Sequence, residues 1–146
     1  MYTYEVNLKW TVNRKGTLSS PNLPQQIEVA TPPDFPKGME GIWTPEHLFL
    51  ASVNGCLMTT FFAIAENSKL EFIRYESNAV CNIALIEGKL AITEIILKPK
   101  VTIPHTQKPD RAIHILEMSK RECLISNAIK ATILLEPEII VEKVLV

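Results

Sequence analysis

Four residues in this chain have chemistry that reaches beyond packing: two cysteines, an arginine and a glutamate. Cys56 lies near the middle of the apolar stretch Thr44–Ala65, TPEHLFLASVNGCLMTTFFAIA, and Cys123 near the end of a second helical pattern, in RECLISNAIK. A free thiol packs well as a small hydrophobe and is a nucleophile once ionised, so either role suits Cys56 taken alone. Its neighbours Asn54 and Gly55 are poor choices for mid-helix, where glycine costs about 1 kcal/mol relative to alanine. The missing Cβ also permits close approach of another backbone or a ligand. A thiolate needs a cation or a hydrogen-bond donor beside it. Arg14, in the turn Asn13-Arg14-Lys15-Gly16, is a candidate cation, and Glu46 is a carboxylate that can orient an arginine by bidentate pairing. Solvation of a turn arginine, and a favourable charge in a first helical turn, explain the same two residues without any site.

Spacing constrains how these groups can meet. Glu46 and Cys56 are ten positions apart, about 15 Å along the axis of a straight helix, so they cannot share a site on one unbroken helix. Either the helix breaks near Gly55, or Glu46 serves the thiol of a second chain in a symmetric dimer. Lys120, Arg121 and Ser126 flank Cys123. Cys81, in Asn78-Ala79-Val80-Cys81-Asn82-Ile83, shares strand parity with Ala79 and Ile83 and reads as structural. There is no CxxC or HxxxH, and His47, His105 and His114 are scattered, so no zinc site is expected. No glycine-rich phosphate loop and no GxSxG occurs.

The positioning elements follow from periodicity and punctuation. Tyr2–Val12 alternates as a strand, with Tyr4, Val6, Leu8 and Trp10 on one face. Gly16 is expected to supply a positive φ in the following turn. Thr17–Ser20 and Gln25–Thr31 read as short strands, and the proline-rich stretch from Thr31 to Thr44 as a long loop. Thr44 suits an N-cap, Pro45 the first helical position and Glu46 the first turn, opening a helix that ends near Asn67. Leu70–Glu87 and Lys89–Ile103 read as strands joined at Glu87-Gly88-Lys89. Asp110–Glu122 carries a helical stripe of Ala112, Ile115, Leu116 and Ser119 that Cys123 continues. Asn127–Ala131 reads as a short helix. Thr132–Val146 reads as a last strand, interrupted by Pro137, which favours a bulge or an edge position. The order β-β-β-α-β-β-α-β is α+β, built on mainly antiparallel sheet around a long central helix.

At 146 residues with 47% hydrophobic content, the chain fits one globular domain, 1–146, with a sizeable core. A net charge of −1 with dispersed lysines and arginines argues against nucleic acid or an anionic membrane as partner. Leu48–Ala65 approaches the length of a membrane span but carries Ser52, Asn54, Gly55, Thr59 and Thr60, and reads as a core helix. With no secretory signal visible and only three cysteines, the expectation is a cytoplasmic protein with reduced thiols and no membrane partner.

With these residues in place, the chain resembles the osmotically inducible protein C and organic hydroperoxide resistance (OsmC/Ohr) family along nearly its whole length. Two blocks carry the resemblance. One runs from Thr44-Pro45-Glu46-His47-Leu48 through Asn54-Gly55-Cys56. The other is Cys123-Leu124-Ile125-Ser126 followed by Ile129-Lys130-Ala131. Ile92-Thr93-Glu94-Ile95 and Lys15-Gly16-Thr17-Leu18-Ser19 resemble strands of the family. The chain departs from the pattern at Leu124, where the family usually has proline, and at Val12-Asn13, which replaces early glycines of the hydroperoxide branch.

The resemblance implies an OsmC-like intertwined homodimer with thiol sites at the subunit interface, and a cysteine-based peroxidase that needs no cofactor. Cys56 would be the peroxidatic nucleophile, reducing an organic hydroperoxide to an alcohol through a sulfenic acid. Cys123 would resolve it to a Cys56–Cys123 disulfide, and an external dithiol, typically a lipoyl-protein, would reduce that. Arg14 would hold the thiolate and Glu46 would orient that arginine. Leu57, Met58, Phe61 and Phe62 either line a pocket for an apolar peroxide tail or pack the core. Two other readings stand beside this one: a non-catalytic binding protein of the same fold holding a small apolar ligand, and a purely structural dimeric domain.

Overall fold

The structure, a computed structural model, describes residues 1–143. The chain forms two compact units, Met1–Phe49 and the part from Leu50 onward. In the first, β1 (Asn7–Val12), β2 (Lys15–Ser20) and β3 (Leu23–Ala30) make an antiparallel sheet in the order β1-β2-β3. β1 starts at Asn7, not at Tyr2: its ladder with β2 begins with the pair Asn7–Ser19, and alternation without a neighbouring strand does not make a strand. Gly16 also plays a different part from the expected one. The positive φ belongs to Asn13, at 51°, and asparagine is one of the few residues that visit this region readily. Gly16 sits within β2, where a Cβ would lie 3.0 Å from Leu8 Cδ1 and 3.1 Å from the Lys9 carbonyl oxygen. Its smallness lets β1 lie close.

The expected helix start is present. Thr44 precedes α1 (Pro45–Asn67), and its Oγ1 accepts the His47 backbone N–H at 3.2 Å. The same oxygen is 2.7 Å from His47 Nδ1. Thr44 is buried, so water cannot take over the capping bond. Thr44→Ala is therefore expected to cost about 1 kcal/mol, within the range known for lost N-caps, as read from the urea midpoint at unchanged slope.

In the second unit, β4 (Arg74–Ile86) and β5 (Lys89–Ile103) form a long antiparallel hairpin. Glu87 and Gly88 turn it with φ of 49° and 79°, the pair of positive values that a two-residue type I′ turn requires. A register shift between Asn82 and Ile83 breaks the parity expected for Cys81 and Ile83: Cys81 is half-buried while Ile83 is exposed. α2 (Pro109–Glu122) follows and buries Ala112, Ile115, Leu116 and Ser119, the expected stripe. The next helical turn is α3 (Leu124–Asn127), which comes earlier than the expected Asn127–Ala131 because the chain re-enters helix directly after Cys123.

The last strand is divided. β6 (Thr132–Leu135) and β7 (Glu138–Val141) both run parallel to β5 along its free side, so the sheet is mixed. The crossover through α2 makes that direction possible, since parallel neighbours need a long connection. The interruption is at Pro137, as its missing N–H demands, and of the two β5 residues between the ladders, Lys98 and Pro99, the proline lacks a donor as well. The expected strand residues Val144, Leu145 and Val146 lie outside the described residues.

The core of this unit is Phe61, Ala65 and Leu70 packed on Val101 and Ile103 of β5 and on Ala112, Ile115 and Leu116 of α2. α1 is long and apolar enough, by length and composition, to cross a membrane. Its residues Val53, Leu57, Phe61 and Ala65 are buried within the protein itself.

Candidate functional site

Cys56 and Cys123, sixty-seven positions apart in sequence, come close enough for each thiol to shift the ionisation of the other. Two elements bring this about. α1 presents Cys56 half-buried, and Cys123 forms the joint between α2 and α3, with φ −68° and ψ 115° and no solvent exposure. Cys56 Sγ lies 3.9 Å from Thr60 Oγ1, one helical turn on.

The two thiols are pushed in opposite directions. Burial raises Cys56, but the hydrogen bond from Cys123 outweighs it together with the Ile125 amide, the Thr60 hydroxyl and the Leu124 amide, and the net effect is a lowered pKa. For Cys123 burial also raises the pKa, and the bond to Cys56 raises it further, against weaker help from Ser126. The two directions fit one arrangement, in which a protonated Cys123 faces a Cys56 that ionises more readily. Removing that donor by Cys123→Ala is expected to move the pH midpoint of Cys56 alkylation upward. At neutral pH the rate should fall several-fold, the size of one hydrogen bond to a charged group. Cys123→Ser, which keeps an O–H, is expected to move it less. Rates on the Cys56 peptide measured by mass spectrometry check this.

Arg14 and Glu46 belong to the first unit, where both line a cavity of about 530 Å³ with Leu8, Trp10, Phe35 and Pro45. Among the described residues no ion pair or hydrogen bond joins them, and Glu46 Oε2 is buried with no partner. α1 runs through Gly55 unbroken, which removes a helix break as the way to bring Glu46 to Cys56 of the same chain.

Asn54 and Gly55, expected to mark an opening beside the thiol, divide that role. Asn54 Nδ2 donates to the Ser77 carbonyl at 3.0 Å and ties α1 to β4. Over Gly55 a Cβ would meet nothing within 4 Å, so the space there is open. Leu57 and Phe61 are core residues, while Phe62 stacks on Phe72 at 5.3 Å and lines a surface cleft with Glu66 and Glu71. Among the described residues no cluster of three His, Cys, Asp or Glu is placed to hold a metal ion.

Two contributors to the thiol pair escaped sequence reading. Thr60 is four residues after Cys56, and that helical spacing alone puts the two on one face. The amides of Leu124 and Ile125 leave no trace in residue type, except that position 124 is not proline.

A thiol on a long helix that buries one face, near a second thiol at a helix joint beside a mixed sheet, defines an α+β dithiol protein. The chain belongs to the OsmC-like protein family, whose match covers residues 38–138. The uncharacterized protein YmaD of Bacillus subtilis is 28% identical over 142 residues, which are 92% of this chain and 91% of that one. Among solved structures, an OsmC-like protein of unknown function from Vibrio cholerae superposes with a TM-score of 0.85 at 22% identity, covering 94% of this chain and 99% of the other. An organic hydroperoxide resistance protein from Elizabethkingia anophelis gives 0.76 at 22%, covering 97% and 98%. The organic hydroperoxide resistance protein OhrB of Bacillus subtilis gives 0.70 at 17%, covering 94% and 98%. These likenesses establish the fold, in a family that includes hydroperoxide resistance proteins.

Proposed function

We propose that this protein is a thiol-dependent peroxidase for organic hydroperoxides, with Cys56 as the peroxidatic and Cys123 as the resolving residue. The observation that carries the reading is the nearness of Cys56 and Cys123 with their opposed shifts: the more accessible sulfur is lowered and the buried one raised. The Cys56 thiolate attacks the terminal oxygen of ROOH. The O–O bond breaks, Cys56 becomes a sulfenic acid, and the alkoxide leaves and is protonated to the alcohol. The Cys123 sulfur then attacks the sulfenic sulfur. Its proton leaves with the hydroxyl as water, and a disulfide forms. An external dithiol, such as a lipoyl-protein, returns two electrons and two protons and is itself oxidised.

The working form is a homodimer in which Arg14 and Glu46 of one copy serve Cys56 of the other. This is supported by the unbroken α1, by the orphaned Glu46 Oε2, and by apolar side chains left exposed just before and on β1 and at the β4–β5 tip: Val6, Leu8, Trp10, Leu85 and Leu90. A reducing, cytoplasmic setting suits thiols that must be regenerated.

The test is dithiol-dependent consumption of an organic hydroperoxide, with the intact mass recorded after one equivalent of peroxide. Expected are alcohol release and a chain lighter by its two thiol hydrogens, with Cys56 and Cys123 joined in the peptide map. Absence of both sinks the proposal. The apolar cavity of the first unit favours the second reading, a binding protein for a small apolar ligand, and that reading requires that mild peroxide leave both thiols reduced.

A further inference from the structure

The long loop from Thr31 to Thr44, which the thiol chemistry does not use, is held in one shape by main-chain bonds. The Met39 N–H donates to the Thr31 carbonyl at 3.0 Å, the Gly38 N–H to the Phe35 carbonyl at 3.0 Å, and the Ala30 N–H to the Trp43 carbonyl at 2.9 Å. An ordered loop of this length is uncommon without a function of its own. It brings Met39 and Trp43 to a cavity of about 350 Å³ that His47, in the first turn of α1, also lines. All of these residues belong to the first unit. The Trp43 and His47 rings stand edge to face, with centroids 6.0 Å apart at an angle of 70°. Neither ring serves the core: Trp43 is 54% exposed, and His47 is exposed as well. His47 is nonetheless held in place. Its Nδ1 lies 2.7 Å from Oγ1 of the buried Thr44, and that contact leaves Nε2 to a ligand.

We propose that Met39 and His47 form a binding site for a soft monovalent cation of the Cu(I) type, with Trp43 beside it. The donors are a thioether sulfur and an imidazole nitrogen, a pair that suits Cu(I). The residues lining the cavity include no carboxylate, so a hard divalent ion finds none of the charged oxygens it prefers. Thr44 is the outer partner. With the ion on Nε2, the ring proton sits on Nδ1 and is donated to Oγ1, across a distance already right for that bond. The same Oγ1 accepts the His47 backbone N–H at 3.2 Å, and a hydroxyl oxygen has two lone pairs for two donors. The indole supports a cation held on the imidazole through its π face. The site lies outside the His, Cys, Asp and Glu sets that hold zinc, and it does not rest on the peroxidase reading.

The test titrates Ag(I), as silver nitrate in chloride-free buffer, into the full chain carrying Cys56→Ser, Cys81→Ser and Cys123→Ser, because thiolates also take soft cations. The ε-methyl groups of the four methionines are followed by NMR together with the His47 ring. Expected is a single Ag(I) per chain, with the Met39 methyl and the His47 ring shifting together while Met1, Met58 and Met118 stay in place. Met39→Leu is expected to abolish the His47 shift, and His47→Gln the Met39 shift. Thr44→Ala is expected to weaken binding by about tenfold, and Thr44→Ser to restore it. Met39 and His47 resonances that stay still at excess Ag(I), or that move independently of each other, overturn the proposal. Should the serine variant not fold by circular dichroism, the wild type decides. Once its thiols are saturated, the same paired shift is expected, and its absence overturns the proposal. Hydroperoxide turnover plays no part in this readout, so failure of either reading leaves the other standing.

Discussion

Cys56→Ser is expected to reduce dithiol-dependent consumption of an organic hydroperoxide to the rate of the dithiol alone, a loss on the order of a thousandfold or more, as for other lost nucleophiles. Serine keeps the shape of the site and a polar neighbour for Cys123, but its hydroxyl does not ionise near neutral pH, and the polar groups around position 56 cannot make it do so. Cys123→Ser separates the two thiols by role. It is expected to release about one equivalent of alcohol per chain and then stop, because the Cys56 sulfenic acid forms and nothing resolves it. Rapid-quench measurement of alcohol, with a sulfenic-acid trap on the protein, reads both outcomes. Multiple turnovers by Cys56→Ser would refute the assignment. So would a Cys123→Ser enzyme that forms no trapped adduct.

The largest effect on stability is expected from Phe61→Ala, at about 3–5 kcal/mol. Phe61 is fully buried, and its ring packs on Phe72 at 5.4 Å and on Tyr75 at 5.3 Å while the core cluster closes around it. Truncation removes the ring's transfer energy and leaves a void that β5 and α2, both tied into the sheet and core, cannot collapse to fill. Phe62, the next residue, is the control. It is 37% exposed and stacks on Phe72 at the surface, so Phe62→Ala is expected to cost at most about 1–2 kcal/mol. Urea unfolding of both variants at unchanged slope checks the contrast. Similar losses for the two would mean that the core does not centre on Phe61.

The sequence was most readable where one residue type has one physical use. Thr44-Pro45-Glu46 marks a helix start because cap, ring and charge each suit a single position, and the helix begins there. Glu87-Gly88 marks a tight hairpin, and Pro137 marks a break in a ladder. Reading failed where a partner element decides. Alternation from Tyr2 onward looks like strand whether or not a neighbour exists, and the ladder with β2 stops at the pair Asn7–Ser19. A positive φ was assigned to Gly16 because glycine accepts it cheaply, yet Asn13 accepts it too, and Gly16 was needed for close approach. Nothing in Thr132–Val141 signals that it runs parallel to β5. For the site, the residue types of the thiol pair were legible, and their nearness in space was not legible from the residues alone, since it depends on how α2 returns across the sheet.

The divided last strand has a consequence for how the chain is made. β5 receives one neighbour from the local hairpin, early in synthesis and with little loop to close. Its other side stays bare until α2, α3 and then β6 and β7 have emerged. Throughout that interval the nascent chain carries a long strand edge whose residues Leu97, Val101 and Ile103 will become fully buried. A ribosomal pause or a premature stop between Cys123 and Thr132 would therefore release a chain that already holds both thiols and still lacks the strands that finish its sheet. Such a fragment is an aggregation hazard of the kind chaperones intercept.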